Sequence, residues 1–190
     1  MGERIYVAGD QFTSITFKYD EVLSLKELYK FAREWMVING YMSPISGYDE
    51  KYYMEKVDQS GAKEIWVWWR TSRVNKQNVY VKFFLNVDFH IMGLREVEVT
   101  VRGQKVKANK GEVEIMVNAY AELDHKFPLA KHSFIAPFLA RFNRTVYKPQ
   151  IEFQLGVLKK EATGLVEELK RFLELKPFSG GETFNPPKGL

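Results

Sequence analysis

The chain has no cysteine. That excludes disulfides, thiolate zinc sites, iron–sulfur clusters and cysteine nucleophiles together. Histidine is nearly as scarce, with His90, His125 and His132 making up the complete set. No serine stands in a G-x-S-x-G elbow, no glycine-rich phosphate loop of either common type occurs, and no HExxH spacing is present. No run of 18 apolar residues exists, so nothing is expected to span a membrane as a helix. Met1 to Asp20 alternates instead of showing the charged, apolar and small-residue layout of a secretion signal. A cytoplasmic setting, no membrane partner, no cofactor and no metal are the resulting expectations.

What is present suits a globular protein. At 190 residues a single domain buries roughly 70% of its unfolded surface. Hydrophobic residues at 45% and charged residues at 27% are ordinary, whereas aromatics at 15% are in excess and ask for an explanation beyond a routine core. The net charge of +4 and pI of about 9.1 permit a polyanion partner without demanding one.

Hydrophobic periodicity supplies the organisation. Ile5 to Val7 reads as a short strand, and Thr13 to Tyr19 alternates more clearly. Ser24 with Glu27 has the capping-box spacing ahead of a helix carrying Leu25, Leu28, Tyr29, Ala32, Trp35 and Met36, which Asn39-Gly40 ends. Tyr53 to Val57 and Glu64 to Thr71 read as strands. Val79, Val81, Phe83, Leu85, Val87, Phe89 and Ile91 then share one face, Met92-Gly93 reads as a turn, and Val97, Val99 and Val101 resume the pattern. A short strand near Val106 ends at Asn109-Lys110-Gly111, after which Val113 to Leu123 alternates again. Period-2 patterning with short glycine-bearing connections predicts an antiparallel meander with one buried face. Ile135, Phe138, Leu139, Phe142 and Val146 fall at helical spacing, with Ser133 as a cap and Pro137 in the first turn. Ile151, Leu155, Leu158, Ala162, Leu165, Leu169 and Phe172 form the stripe of a long terminal helix. The fold class expected is α+β: an antiparallel meander of about five to seven strands packed against a long C-terminal helix, with an N-terminal helix between early strands. Residues 1–177 form one domain and 178–190 a flexible tail.

Four groups of residues could carry function. Asp88 and His90 are two apart on a strand, so both face the less apolar side. A carboxylate beside an imidazole is raw material for a general base or a ligand pair, with Glu114 or Asn118 as neighbours, and equally for a solvated cross-strand pair. Glu122, Asp124, His125 and His132 flank the turn after the last strand and suit loop and capping roles or a divalent metal. Trp66 and Trp68 share one face of an aromatic strand, so with Tyr80, Phe84 and Tyr120 they could line an apolar-ligand site from the second sheet face. Finally, alternate turns of a meander lie at one end of the sheet. On that reading Arg70, Arg73, Lys76, Arg102 and Lys105 gather into one basic edge able to meet RNA, a ribosome or an acidic protein, or to act as a rim against edge pairing.

The order strand, helix, meander, long terminal helix, carried by Val79–Ile91, Val97–Val101, Val113–Leu123 and Ile151–Phe172, resembles the helix-grip fold of the START and Bet v 1-like superfamily. The resemblance implies an apolar ligand cavity between sheet and terminal helix. The chain departs from that pattern in having an extra helix at Ile135–Val146 and one helix after the early strand where that fold usually has two. The stretch Gly93 to Ile115 also resembles short uncharacterised archaeal proteins, which implies a cytoplasmic setting. The function expected is a non-catalytic binding module for an apolar small molecule held between sheet and helix. The alternatives are an interaction protein docking by the basic edge and an enzyme using the Asp88/His90 face. The oligomeric state is left open.

Overall fold

A computed structural model describes residues 4–6, 14–45, 49–74, 80–101, 104–123, 134 and 136–175. Within these the alternating runs become strands and the 3.6-residue runs become helices. The elements are β1 (Arg4–Tyr6), β2 (Ser14–Tyr19), β3 (Val22–Leu23), α1 (Leu25–Ile38), β4 (Glu50–Val57), β5 (Lys63–Val74), β6 (Val81–Val101), β7 (Gln104–Leu123), α2 (Ala136–Thr145) and α3 (Lys148–Leu175). The fold is α+β. Among the described residues seven strands form one antiparallel sheet in the order β1-β7-β6-β5-β4, with β2 and β3 pairing along the same edge of β7 as β1. The proposed tail, 178–190, lies outside the described residues.

Alternation decides which face is dry. Val81, Phe83, Leu85, Val87, Phe89 and Ile91 of β6 are buried, as are Val113, Ile115, Val117, Ala119, Ala121 and Leu123 of β7. Helix α3 covers them with Ile151, Leu158, Ala162, Leu165, Val166, Leu169 and Leu173. Each large side chain so buried contributes about 1.5–3 kcal/mol. Pro149 falls in the first turn of α3 and so starts the helix there rather than breaking it. Helix α1 adds Leu28, Phe31, Ala32 and Met36 to the same core. Its Tyr29 packs against Trp69 and Phe89 with ring centroids 4.7 and 5.4 Å apart, and Trp69 Nε1–H donates to the Tyr29 hydroxyl at 2.7 Å.

Two local expectations are corrected. Met92-Gly93 is not a turn: β6 runs through it, and the ladder to β7 shifts register between Met92 and Arg95. Gly93 has φ +63°, and glycine in the left-handed region marks a bulge as readily as a hairpin turn. Across the ladder, a Cβ on Gly111 would come within 2.9 Å of both Leu94 Cα and Met92 O. Only glycine lets the two backbones approach that closely. Asn109-Lys110-Gly111 therefore lies inside β7 instead of ending a strand. Secondly, Ser24 occupies the N-cap position of α1 without a side-chain cap bond. The Leu25 N–H donates instead to Asn109 Oδ1 of β7 at 3.3 Å, so the helix is capped by the sheet. On α2, Phe138 is 73% and Phe142 44% exposed, and Val146 just beyond the helix is 66% exposed.

A polar tie crosses the core. Arg73 lies in phase with the buried Trp69 and Thr71, so it points toward the helices. Its Nη2 donates to both carboxylate oxygens of Glu161 on α3 at 2.6 and 2.9 Å, and its Nη1 donates to the Asn39 carbonyl at 2.8 Å. The Tyr41 hydroxyl donates to Glu161 at 2.6 Å. Burial, and then the hydrogen bond to Glu161, push the Tyr41 hydroxyl far above its usual range.

Two predictions follow from these contacts. Gly111→Ala should destabilise the protein by about 2 kcal/mol through backbone overpacking; an unchanged urea midpoint would show that the bulge has room. An unfolded tyrosine ionises near pH 10, whereas Tyr41 stays protonated there. Below that pH its contribution to stability is complete. Above it the unfolded state gains by ionising, so stability falls as pH rises. Tyr41→Phe should cost about 1 kcal/mol at neutral pH and flatten the alkaline loss seen in denaturant titrations above about pH 10; a parallel pH profile would refute the assignment.

Candidate functional site

The second face of the sheet carries most of the chemistry-bearing side chains. Strand register lines them up in cross-strand rows. One row is Met54, Trp66, His90, Glu114 and Lys18; the next is Tyr52, Trp68, Asp88, Met116 and Thr16. A third is Arg70, Asn86, Asn118 and Ser14, and a fourth Ser72, Phe84 and Tyr120. Most are half-buried by one another.

The aromatics of this face are paired. Tyr52 stacks on Trp68 at 4.3 Å, Trp66 on His90 at 4.8 Å, and Phe84 on Tyr120 at 4.7 Å with planes 4° apart. Each pair also has a cation over a ring: Lys56 over Trp66, Arg70 over Trp68 and Lys82 over Phe84. Stacked cross-strand pairs with cations on their faces hold the sheet together. Four of the five aromatic candidates (Trp66, Trp68, Phe84 and Tyr120) therefore share this face. Tyr80 does not join them: its hydroxyl donates to Asn143 Oδ1 of α2 at 3.1 Å and its ring meets Tyr147 edge-on at 5.3 Å.

Asp88 and His90 share the face but not a partner. Asp88 accepts a hydrogen bond from Arg70. His90 Nε2 lies 2.9 Å from Glu64 Oε1, and its Nδ1 lies 3.8 Å from Glu114. An imidazole between two carboxylates is a conceivable ligand set. Among the described residues, however, no group of three or more His, Cys, Asp or Glu is arranged to hold a metal ion. Asp124, His125 and His132 lie outside the described residues.

The basic edge does not assemble as the meander count implied. Arg70 is spent on Asp88 and Arg73 on Glu161. Lys105 pairs with Thr100 near the far end of β6, with Glu98 at 3.7 Å, whereas Arg70 pairs with Asn86. From Asn86 to Thr100 is fourteen steps along one strand, on the order of 45 Å at about 3.3 Å per residue. The cause is the bulge at Gly93. Removing one supposed reversal puts the two loops at opposite ends. Lys76 and Arg102 lie outside the described residues. The second face as a whole is close to charge balance, with Lys18, Lys56, Arg70 and Lys82 against Glu64, Asp88, Glu112, Glu114 and Glu122.

Where the β4–β5 turn meets the β6 bulge, an open groove of about 470 Å³ borders this face. Val57, Ala62 and Met92 give it apolar surface, while Lys56, Asp58 and Glu64 supply charge. Asp58 Oδ1 accepts from the Ser60 N–H and hydroxyl, both at 2.7 Å, and from the Ala62 N–H at 2.9 Å. The Ser60 hydrogen bond is the largest of the effects holding this carboxyl below its usual range. Asp58 thus builds the turn, with Gly61 at φ +78° completing it. Glu64 joins groove to sheet face, since it touches both the groove and His90. Sequence reasoning missed Glu64 because it sits at a strand start; on the same face as Trp66, the direct partner of His90, it is the diagonal cross-strand neighbour of His90.

No family model matches the chain, and no curated protein matches it. A solved structure of an uncharacterized protein from Rhizobium leguminosarum is similar at 7% identity over 90% of this chain and 97% of that one, with a TM-score of 0.18. So low a score carries no argument about fold or activity.

His90→Ala removes one stack and one partly exposed hydrogen bond to Glu64, and should cost about 1 kcal/mol in urea unfolding. A loss several times larger would mean that the imidazole holds the sheet together rather than standing available on its surface.

Proposed function

We propose that the chain is a non-catalytic binding module whose small, largely uncharged ligand sits in the groove between the β4–β5 turn and the β6 bulge. The observation that carries this is the groove itself: about 470 Å³ of open space with apolar surface from Val57, Ala62 and Met92, continuous through Glu64 with the Trp66–His90 stack. Pockets of this kind combine apolar lining with a few fixed polar groups. Charge balance across the adjoining face favours a neutral ligand over a polyanion, since phosphate contacts need uncompensated cations.

The helix-grip likeness suggested a ligand between sheet and terminal helix. The side chains that meet there, among them Leu85, Val87, Ile115, Leu158 and Leu169, are fully buried. Such close packing leaves little room for a ligand beside them. The outer groove is therefore the better seat. The carboxylates and imidazole of the second face are committed to one another or to arginine and lysine, and among the described residues no serine or threonine hydroxyl is bonded to His90, which favours binding over nucleophilic catalysis.

Native mass spectrometry of protein purified from cell extract tests this. The wild-type chain should carry a small-molecule adduct. Val57→Trp, at a position 60% exposed and so tolerant of bulk, should occlude the groove and lose the adduct while keeping the wild-type far-ultraviolet circular dichroism spectrum. A wild-type chain without adduct, or one whose adduct survives in Val57→Trp, would overturn the reading.

A further inference from the structure

Helix α2 and the residues flanking it present apolar side chains to solvent. Phe134 is 90% exposed, Phe138 73%, Phe142 44% and Val146 66%; Phe153, early in α3, is 65% exposed. Phe134, Phe138, Phe142 and Val146 recur every four residues. Phe138 and Phe142 therefore lie one turn apart on the same side of α2. The opposite side is anchored: Asn143 is buried and accepts the Tyr80 hydroxyl hydrogen bond. Several large apolar side chains held in water close together in sequence mark a candidate contact site.

Charge identifies what the surface fits. From His125 to Ile151 the chain contains no aspartate or glutamate, but it has Lys126, Lys131, Arg141, Arg144 and Lys148. Arg141 is exposed and has no ion pair among the described residues, while Lys148 has Glu152 at 3.6 Å. We propose that α2 lies on an anionic lipid surface, with its phenylalanines at the acyl boundary and its cations among the head groups. Phenylalanines on one side of a helix that carries two arginines and no acid of its own have the composition of an interfacial helix. The ten residues of α2 span about 15 Å at 1.5 Å per residue, half of a bilayer's hydrocarbon core, so the helix lies on the membrane and does not cross it. A second copy of the chain is a poorer occupant, because face-to-face packing would oppose like charges. A nucleic acid would meet the cations but leave the apolar side chains of Phe134, Phe138 and Val146 in water.

Flotation of the full-length chain with vesicles tests the proposal. Binding to mixed phosphatidylcholine and phosphatidylserine vesicles should exceed binding to phosphatidylcholine alone by about tenfold and weaken with added salt. Arg141→Ala should weaken it about fivefold. The double variant Phe134→Ser with Phe138→Ser should abolish it while leaving the unfolding midpoint unchanged, since neither ring is packed. Three results would overturn the proposal. One is no flotation with phosphatidylserine vesicles at low salt, and another is binding undiminished in the phenylalanine variant. The third is a dimer in size-exclusion chromatography that Phe138→Ser dissolves, which would assign the face to a second copy.

Discussion

The ladder between β6 and β7 is the constraint on which everything else depends. It pairs Val81 with Leu123 at one end and Val101 with Gln104 at the other. Because side chains alternate strictly, a slip of one residue would exchange the dry face with the wet one along the whole hairpin. The pairing of glycines at the bulge keeps the two halves of this ladder in one sheet. Gly93 adopts the backbone angle that other residues avoid, and Gly111 leaves the space into which Met92 and Leu94 move. Every functional feature is fixed relative to that ladder: the groove opens beside the bulge, the stacked aromatics sit on its outer face, and α3 lies on its inner face.

Charge placement follows from the same alternation. Arg70 and Arg73 are three residues apart on β5, so one faces the solvent side and the other the helices. Arg70 finds Asp88 on the outer face, and Arg73 finds Glu161 and Tyr41 on the inner one. A half-buried pair of this kind adds less to net stability than its distances suggest, because both ions lose part of their water. What it does supply is a tie: it joins Glu161 of α3 to Arg73 of β5 and, through Tyr41, to the segment after α1.

Much of the fold was legible because period-2 and period-3.6 patterns are simple consequences of geometry. The runs Val81–Ile91 and Val113–Leu123 and the stripe Ile151–Phe172 gave the sheet, its buried face and its cover. Four aromatic candidates and the Asp88/His90 pair were assigned to the correct face on parity alone. What could not be read was whether a glycine reverses a strand or merely bends it. Met92-Gly93 carries the composition of both, and the choice rests on Gly111, eighteen residues away in sequence. That one ambiguity moved the basic loops to opposite ends. The cap of α1 failed for a related reason: Asn109 competes with Ser24 from another element, and no local spacing encodes that. The exposure of α2 was hidden because a helical apolar stripe looks the same whether it meets a core or a partner.

The position of α3 in the chain has a consequence for how the protein is made. Its apolar sheet is complete in sequence at Leu123, yet the covering residues extend to Leu173, fifty positions later. At about 5–20 residues per second that interval lasts roughly 3–10 s. Meanwhile α1 is at hand to shelter the Trp69 and Phe89 end, and the surface that will receive Leu158, Leu165 and Leu169 stays open to other nascent chains. Yield in the cell is then governed by how soon the final helix arrives and docks, a kinetic race that the stability of the finished molecule does not decide.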